Sequence, residues 1–194
     1  MFEIGQNTRA FYHRKNRLSR DISGENHWKS RRFPCIIQGT ERSPGAVDGP
    51  GEKENDKMVR ELMHDPVFLG RKSQAADMED RVIGQDLRDT LRAHRDSCVG
   101  MAANMIGELK NIIVFDWEGE ITVFYNPRIL KTWEPYETEE GCLSLLGGPR
   151  KTKRFRRIKV EYENEAGQKR LKTFSSFTAQ IIQHEVDHCN GVLI

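Results

Sequence analysis

The segment from Phe177 to Gly191, FTAQIIQHEVDHCNG, decides the fold of this chain. Its apolar residues recur at the three-to-four-residue spacing of an α-helix; they are Phe177, Ile181, Ile182 and Val186. The pair Asn190-Gly191 is typical of the end of a helix, where glycine or asparagine adopts a left-handed backbone conformation. We therefore predict a buried helix near the C-terminal end of the sequence.

This helix carries the motif H-E-x-x-H as His184-Glu185-Val186-Asp187-His188. Residues four apart lie on the same face of a helix, so both imidazoles can bind one metal ion. Glu185 is then placed to accept a proton from a water molecule whose pKa the cation lowers. The alternative is a chance pair of helical histidines with a surface glutamate, since motifs of five residues also recur by accident.

A catalytic metal site of this kind needs a third protein ligand, and Cys142 is the candidate. It lies in Glu140-Gly141-Cys142-Leu143-Ser144, where Gly141 permits an unusual backbone conformation that would let the sulfur approach a metal. Taken alone, Cys142 would be interpreted as a buried inert thiol. The H-E-x-x-H motif in the same chain favours the metal ligand.

Bulk properties restrict the class of protein. A chain of 194 residues is long enough for one domain with a core, and its formal net charge of +2 gives no overall field that favours nucleic acid or a membrane surface. No apolar run approaches the roughly 20 residues of a spanning helix. The N-terminus has no apolar segment of a secretory signal, and the four cysteines are scattered. We expect a soluble cytoplasmic protein without membrane or direct nucleic-acid binding.

The first 57 residues differ from the rest of the sequence. They show no sustained apolar period, which predicts a disordered tail or a start codon assigned too far upstream. The basic stretch Arg14-Lys15-Asn16-Arg17 and the pair Arg31-Arg32 would also fit a nucleic-acid arm, but a solvated tail is the more common use of such charges. We place the folded domain at residues 58–194.

Several elements can be predicted inside this domain. Apolar residues every four positions, Ile83, Leu87 and Leu91, predict an amphipathic helix over Ile83 to His94. Strands are predicted for Asn111 to Asp116, Ile121 to Tyr125, Ile158 to Glu163 and Lys169 to Phe174. The first two of these would form a hairpin, and Asn126-Pro127 is expected to end its second strand.

Three motifs, in order, resemble those of the peptide deformylase family. They are Gly100-Met101-Ala102-Ala103, Glu140-Gly141-Cys142-Leu143-Ser144 and His184-Glu185-Val186-Asp187-His188, and the resemblance covers about residues 58–194. It implies an α+β fold in which the motif helix packs among antiparallel strands. It also implies removal of the formyl group from N-formylmethionyl peptides of nascent chains, at the ribosome. The family uses one divalent ion, Fe²⁺ first of all, with Zn²⁺, Ni²⁺ or Co²⁺ as replacements.

The resemblance also implies roles for individual residues. Cys142, His184 and His188 become the metal ligands, and Glu185 becomes the general acid/base. The backbone N–H of Leu143 would stabilise the oxyanion, with Gly100 beside it in the catalytic group. The pocket for the methionine side chain would be lined by Val99, Gly100, Met105, Phe177 and Ile181. Asp187 is expected to pair with Arg154 and to hold the helix.

Two positions depart from the first motif of the family, G-x-G-x-A-A-x-Q. Its first glycine is Cys98 and its glutamine is Met105. The glutamine donates a hydrogen bond to the developing oxyanion, whereas a thioether has no proton to donate, and loss of one such donor typically costs about 10²–10³ in rate. Cys98 would be a small substitute or a second thiol near the metal, and we favour the former.

Three functions therefore remain open. The first is an active deformylase with reduced activity, and the second is a catalytically impaired relative that binds metal or a peptide N-terminus. The third is a zinc peptidase, which is disfavoured because Cys142 would have no role in it. The residue that bears on the choice between the first two functions is Met105, because it lacks the hydrogen-bond donor of the family's glutamine.

Overall fold

The computed structural model describes residues 58–194. The predictions made for residues 1–57, including the tail, the basic arm and the misassigned start, lie outside the described residues.

The described chain forms one antiparallel sheet with helices on its two faces. The elements are α1 (Pro66–Leu69), α2 (Arg81–Ala93), β1 (Gly100–Ala102), a 3₁₀ turn (Ala103–Ile106), β2 (Ile112–Trp117), β3 (Glu120–Glu140), β4 (Arg150–Glu163), β5 (Lys169–Ser175) and α3 (Ser176–Cys189). The strand order is β1-β2-β3-β4-β5, and every neighbouring pair is antiparallel. The expected α+β class with a C-terminal helix is confirmed.

Helices α2 and α3 bury opposite faces of the sheet. On one face Leu87 and Leu91 of α2 pack in a cluster with Val114 of β2 and Val123 of β3. On the other face the apolar residues of α3 pack with the neighbouring positions of the same strands, because successive side chains of a strand point to opposite faces. The period of four in α2 is confirmed, and the helix begins two residues before the predicted Ile83.

The prediction that Asn126-Pro127 ends a strand is wrong, because β3 continues to Glu140. The ladder with β4 shifts register between Tyr125 and Arg128, so Pro127 lies at a bulge where its missing N–H costs no ladder bond. Asn126 has a φ of 52°, and its side-chain amide exchanges two hydrogen bonds with the backbone of Ala76. A long-range contact therefore stabilises the bulge and lets the strand continue.

The end of α3 is tied to the rest of the fold. The predicted stop at Asn190-Gly191 is confirmed, since the helix ends at Cys189 and Gly191 has a φ of 74°. The buried side-chain amide of Asn104 donates to the carbonyl of His188 at 2.8 Å and to that of Leu69 at 3.2 Å. The last turn of α3 is thereby fixed against the 3₁₀ turn.

The first described residues belong to the fold. The Arg60 guanidinium contacts Asp86 at 3.0 Å and Glu108 at 2.9 Å, and its backbone N–H donates to Thr90 Oγ1. The N–H of Met63 donates to the carbonyl of Met105 at 2.8 Å. None of the helices among residues 58–194 is long and apolar enough to cross a membrane.

We propose that residues 1–57 are dispensable for the domain, because their composition offers few apolar groups to bury. A chain starting at Met58 should match the full chain in melting temperature and metal content. The matched control is a chain starting at Met63, which lacks Arg60 and its charge-assisted hydrogen bonds and should melt at a lower temperature. A large loss of stability in the chain that starts at Met58 would contradict this prediction.

Candidate metal centre

Three donor side chains converge beside α3. His184 and His188 lie one turn apart on the same face of this helix, with ring centroids 5.0 Å apart. Cys142 comes from the loop between β3 and β4, and its Sγ lies 3.1 Å from Nε2 of His188. Ligand atoms of the three residues all lie within 4.8 Å of one another. The structure thus brings together the three residues that the sequence suggested as metal ligands.

The cysteine loop is positioned from two directions. Strands β3 and β4 pair in register up to Glu140 and Arg150, so residues 141–149 form the connection at the end of a long hairpin. Ser144 is fully buried, and its carbonyl accepts a hydrogen bond from Nδ1 of His64 at 3.2 Å. The segment before α1 thus supports the loop that presents Cys142 and Leu143.

A buried carboxylate that sequence reasoning did not assign, Glu140, holds His184 in place. Its Oε2 accepts a hydrogen bond from Nδ1 of His184 at 3.0 Å, which leaves Nε2 of that ring for a metal. Arg154 donates to both oxygens of Glu140, at 2.9 and 2.8 Å, and to Asp187 at 2.7 Å. The predicted Arg154–Asp187 pair is confirmed. The only sequence signal for Glu140 was its place before Gly141 in the second motif.

The ionisation of these groups follows from their partners. Burial alone would raise the pKa of Glu140, but hydrogen bonds from His184 and Arg154 lower it to about 2. Burial lowers the pKa of His188 to about 3, helped by the nearby His184 and Arg154, so this imidazole is neutral and offers a lone pair. For His184 burial acts in the same direction, but the contacts with Cys142 and Glu140 outweigh it and raise the pKa to about 10. Without a metal the cavity therefore favours a positive charge at His184.

Glu185 is ready to act as a base or an acid. It is 3% exposed, and burial raises its pKa to about 7. Its Oε2 has no hydrogen-bond partner among the described residues. A carboxyl group with a pKa near neutrality suits proton transfer, because both of its forms are accessible at working pH.

The donor set fits a divalent metal. One sulfur and two imidazole nitrogens leave a fourth position for water or substrate, as in mononuclear catalytic sites. Sulfur and imidazole donors suit Fe²⁺, Zn²⁺, Ni²⁺ and Co²⁺ better than Mg²⁺ or Ca²⁺.

A pocket opens beside the three donors. Its lining includes all the residues that the resemblance suggested for the methionine side chain, which are Val99, Gly100, Met105, Phe177 and Ile181. It also includes five residues to which the resemblance assigned no role, which are Cys98, Glu139, Glu140, Gly141 and Gln180. Leu143 and Glu185 also line it. A Cβ at Gly100 would lie 2.7 Å from both Glu185 Oε1 and Ile181 Cγ2. Glycine therefore lets the β1 backbone pass directly against the acid/base candidate.

The two departures from the first motif are both buried in this region. Sδ of Met105, a residue that is 2% exposed, accepts a hydrogen bond from the N–H of Ala102 at 3.4 Å. Sγ of Cys98 donates to the carbonyl of Gly100 at 2.9 Å. Among the described residues the compact donor cluster consists of Cys142 and the two histidines and does not include Cys98. This placement supports Cys98 as a small substitute.

The carboxylate of Glu140 should contribute to stability in a pH-dependent way. Its folded pKa lies below its ordinary value of 4.5, so the stabilisation is complete above about pH 4.5 and is lost as the pH falls towards 2. Glu140→Gln should lower the free energy of unfolding by about 3 kcal/mol at pH 7 and by much less at pH 3. Urea unfolding of the metal-free protein at pH 7 and at pH 3 measures the two free-energy differences. Glu137→Gln, an exposed carboxylate on the same strand, is the control, and an equal loss at both pH values would contradict the linkage.

The sheet with its inserted motif helix and three-donor cavity is the arrangement of a mononuclear metallohydrolase. Comparison with known proteins then gives the family. The family model for polypeptide deformylase matches residues 60–194. The chain is 51% identical over 137 residues to a peptide deformylase of Clostridium beijerinckii, an alignment that covers 71% of this chain and all of that one. It is 35% identical to a peptide deformylase of Pseudothermotoga lettingae, over 71% of this chain and 80% of that one.

Solved structures agree with the sequence relatives. A class I type b peptide deformylase from Acinetobacter baumannii with bound Met-Ala-Ser matches with a TM-score of 0.65 and 26% identity, over 71% of this chain and 96% of that one. A peptide deformylase from Legionella pneumophila matches with a TM-score of 0.64 and 30% identity, over 70% of this chain and 83% of that one. The chain belongs to the polypeptide deformylase family, a family of metal-dependent hydrolases of N-formylmethionyl peptides.

Proposed function

We propose that this chain removes the formyl group from N-formylmethionyl peptides with a divalent ion held by Cys142, His184 and His188. One observation carries the proposal: the buried carboxyl of Glu185 stands next to the donor cluster and lines the same pocket. An amide hydrolase needs an activated water, a group that moves protons and a place for the substrate, and these residues can supply all three.

The bound ion and the residues of the chain contribute different parts of the proposed reaction. When bound, a divalent ion lowers the pKa of water and polarises the carbonyl oxygen of the formyl group. Glu185 accepts the proton of the attacking water at its carboxylate and donates it to the departing amine. The backbone N–H of Leu143 donates to the oxygen on which negative charge develops. Gly100 keeps the β1 backbone close to Glu185, where the substrate must lie.

The proposal also names the metal ion and the place in the cell where the reaction occurs. Fe²⁺ is our first choice, with Zn²⁺, Ni²⁺ or Co²⁺ as replacements, because each accepts sulfur and imidazole donors. N-formylmethionyl peptides arise as nascent chains, so we place the reaction in the cytoplasm and at the ribosome.

Met105 favours a second candidate, a relative that binds metal and peptide but turns over little. Its sulfur accepts the hydrogen bond from Ala102 and has no proton to donate to an oxyanion. The decisive experiment is formate release from a formyl-Met-Ala-Ser peptide by protein loaded with Fe²⁺ or Ni²⁺. Release above that of the metal-free protein supports the deformylase, whereas peptide binding without release supports the second candidate.

The purified protein should contain close to one divalent ion per chain, and Cys142→Ala should lose most of it because two imidazoles alone hold a metal weakly. Elemental analysis measures the stoichiometry. Cys189→Ala is the matched control, since this buried thiol lies outside the cluster of Cys142, His184 and His188. Equal and substoichiometric metal in wild type and Cys142→Ala would show that the proposed site is wrong.

A further inference from the structure

Two glutamines of α3, three residues apart, are bonded very differently. The amide nitrogen of Gln183 donates to the carbonyls of Phe155 and Ala179, and its oxygen accepts from the N–H of Phe155. All of its bonds are made within the protein. Gln180 makes a single hydrogen bond in the described structure, in which its Oε1 accepts from the hydroxyl of Tyr136 at 2.9 Å. Its two amide N–H groups have no partner among the described residues.

Gln180 forms part of the wall of the pocket. Gln180 is 8% exposed and lines the cavity together with Phe177 and Ile181. Gln180 lies one turn before His184 on the same face of α3. An amide with no partner for its nitrogen therefore lies in the wall of the pocket, beside the apolar side chains of Phe177 and Ile181.

Tyr136 fixes the orientation of this amide. Its hydroxyl donates a hydrogen bond to the side-chain oxygen of Gln180, so the amide nitrogen points away from Tyr136. The guanidinium of Arg156 stacks over the Tyr136 ring at 4.8 Å and restricts the ring in turn. Burial, with the nearby Glu140, raises the pKa of Tyr136, so the phenol remains a donor at neutral pH.

We propose that Gln180 is a specificity-determining residue, whose amide N–H donates a hydrogen bond to an acceptor atom near the end of the substrate's N-terminal side chain. The inference rests on the proposed function, in which this pocket holds that side chain. The thioether of methionine is a weak acceptor, whereas norleucine has nearly the same shape and no acceptor. A hydrocarbon side chain in the pocket would leave the buried amide without a partner, and that loss disfavours it.

The test measures binding, so it does not depend on turnover. Calorimetry with metal-loaded protein compares the unformylated tripeptides Met-Ala-Ser and Nle-Ala-Ser, in which norleucine (Nle) replaces methionine. Gln180→Met keeps the length of the side chain and removes the donor. We expect the ratio of the two affinities, methionine over norleucine, to fall about two- to three-fold in Gln180→Met, the low end for a neutral hydrogen bond, because the thioether is a weak acceptor. Tyr136→Phe should reduce the ratio by a smaller factor, because it leaves the amide in place but frees its orientation.

Each result has a definite meaning. An unchanged ratio in Gln180→Met, in protein with normal metal content and melting temperature, would overturn the inference. An equal loss of affinity for both peptides would also overturn it, because the amide would then act on the common backbone. If neither peptide binds to the wild-type protein, the pocket does not hold the peptide side chain, and the inference fails with that assignment. Selective binding that Gln180→Met reduces, without formate release by wild type, would refute only the deformylase activity and support the role of Gln180.

Discussion

Glu185→Gln should lower the rate of formate release by about 10²–10⁴-fold, the usual contribution of a general acid/base. The substitution keeps the shape of a side chain that is 3% exposed, so neither the packing nor the pocket should change. An amide cannot take the proton from water or deliver it to the amine. The decrease should appear in kcat, because the proton moves only during the reaction. Single-turnover formate release from a formylated tripeptide measures it.

The control for this experiment is metal content. Glu185 is not one of the three clustered donors, so Glu185→Gln should bind close to one ion per chain. Glu79→Gln, an exposed carboxylate, should release formate at the wild-type rate. Retention of most of the activity in metal-loaded Glu185→Gln would exclude Glu185 as the proton carrier.

Met105→Gln should raise kcat by up to about 100-fold. The structure suggests how the new side chain would be held: the N–H of Ala102 donates to Met105 Sδ, and a glutamine oxygen at this place can accept the same bond. The glutamine nitrogen is then available to donate to the developing oxyanion. Since the new bond forms mainly in the transition state, kcat should change more than KM.

Met105→Leu is the matched control because it has a similar volume and no donor, and it should stay near the wild-type rate. Folded and metal-loaded Met105→Gln that releases no formate would favour the binding protein. A high rate that is the same in wild type and Met105→Gln would mean that the Leu143 N–H or a water suffices as oxyanion donor.

Local patterns predicted most elements because each depends on neighbouring residues. The apolar period of α2 and the alternation in β4, where Ile158 and Val160 are buried between charged residues, both follow from side-chain geometry along one element. The spacing of His184 and His188 likewise depends on one helix. These features needed no knowledge of the partner elements.

The remaining features depend on residues distant in sequence. Strand β3 continues past Pro127 because the backbone of Ala76 holds Asn126 in a bulge. Glu140 orients the His184 ring because β3 ends beside α3, which brings the carboxylate within hydrogen-bonding distance of Nδ1. The free amide of Gln180 can be recognised only after the contact with Tyr136 is known. No pattern within a single segment reports such contacts.

If Cys142, His184 and His188 hold the ion as proposed, their placement in the chain implies an order for metal loading. Two of the three donors lie on α3, which follows every strand of the sheet in the chain, and the third, Cys142, lies in the hairpin that packs against this helix. During synthesis the strands of the sheet emerge first, and at that stage Cys142 is the one member of the three-residue donor cluster that has been made. The complete donor set of the proposed site exists only after α3 has emerged and docked, so we expect metal binding to follow the folding of the sheet.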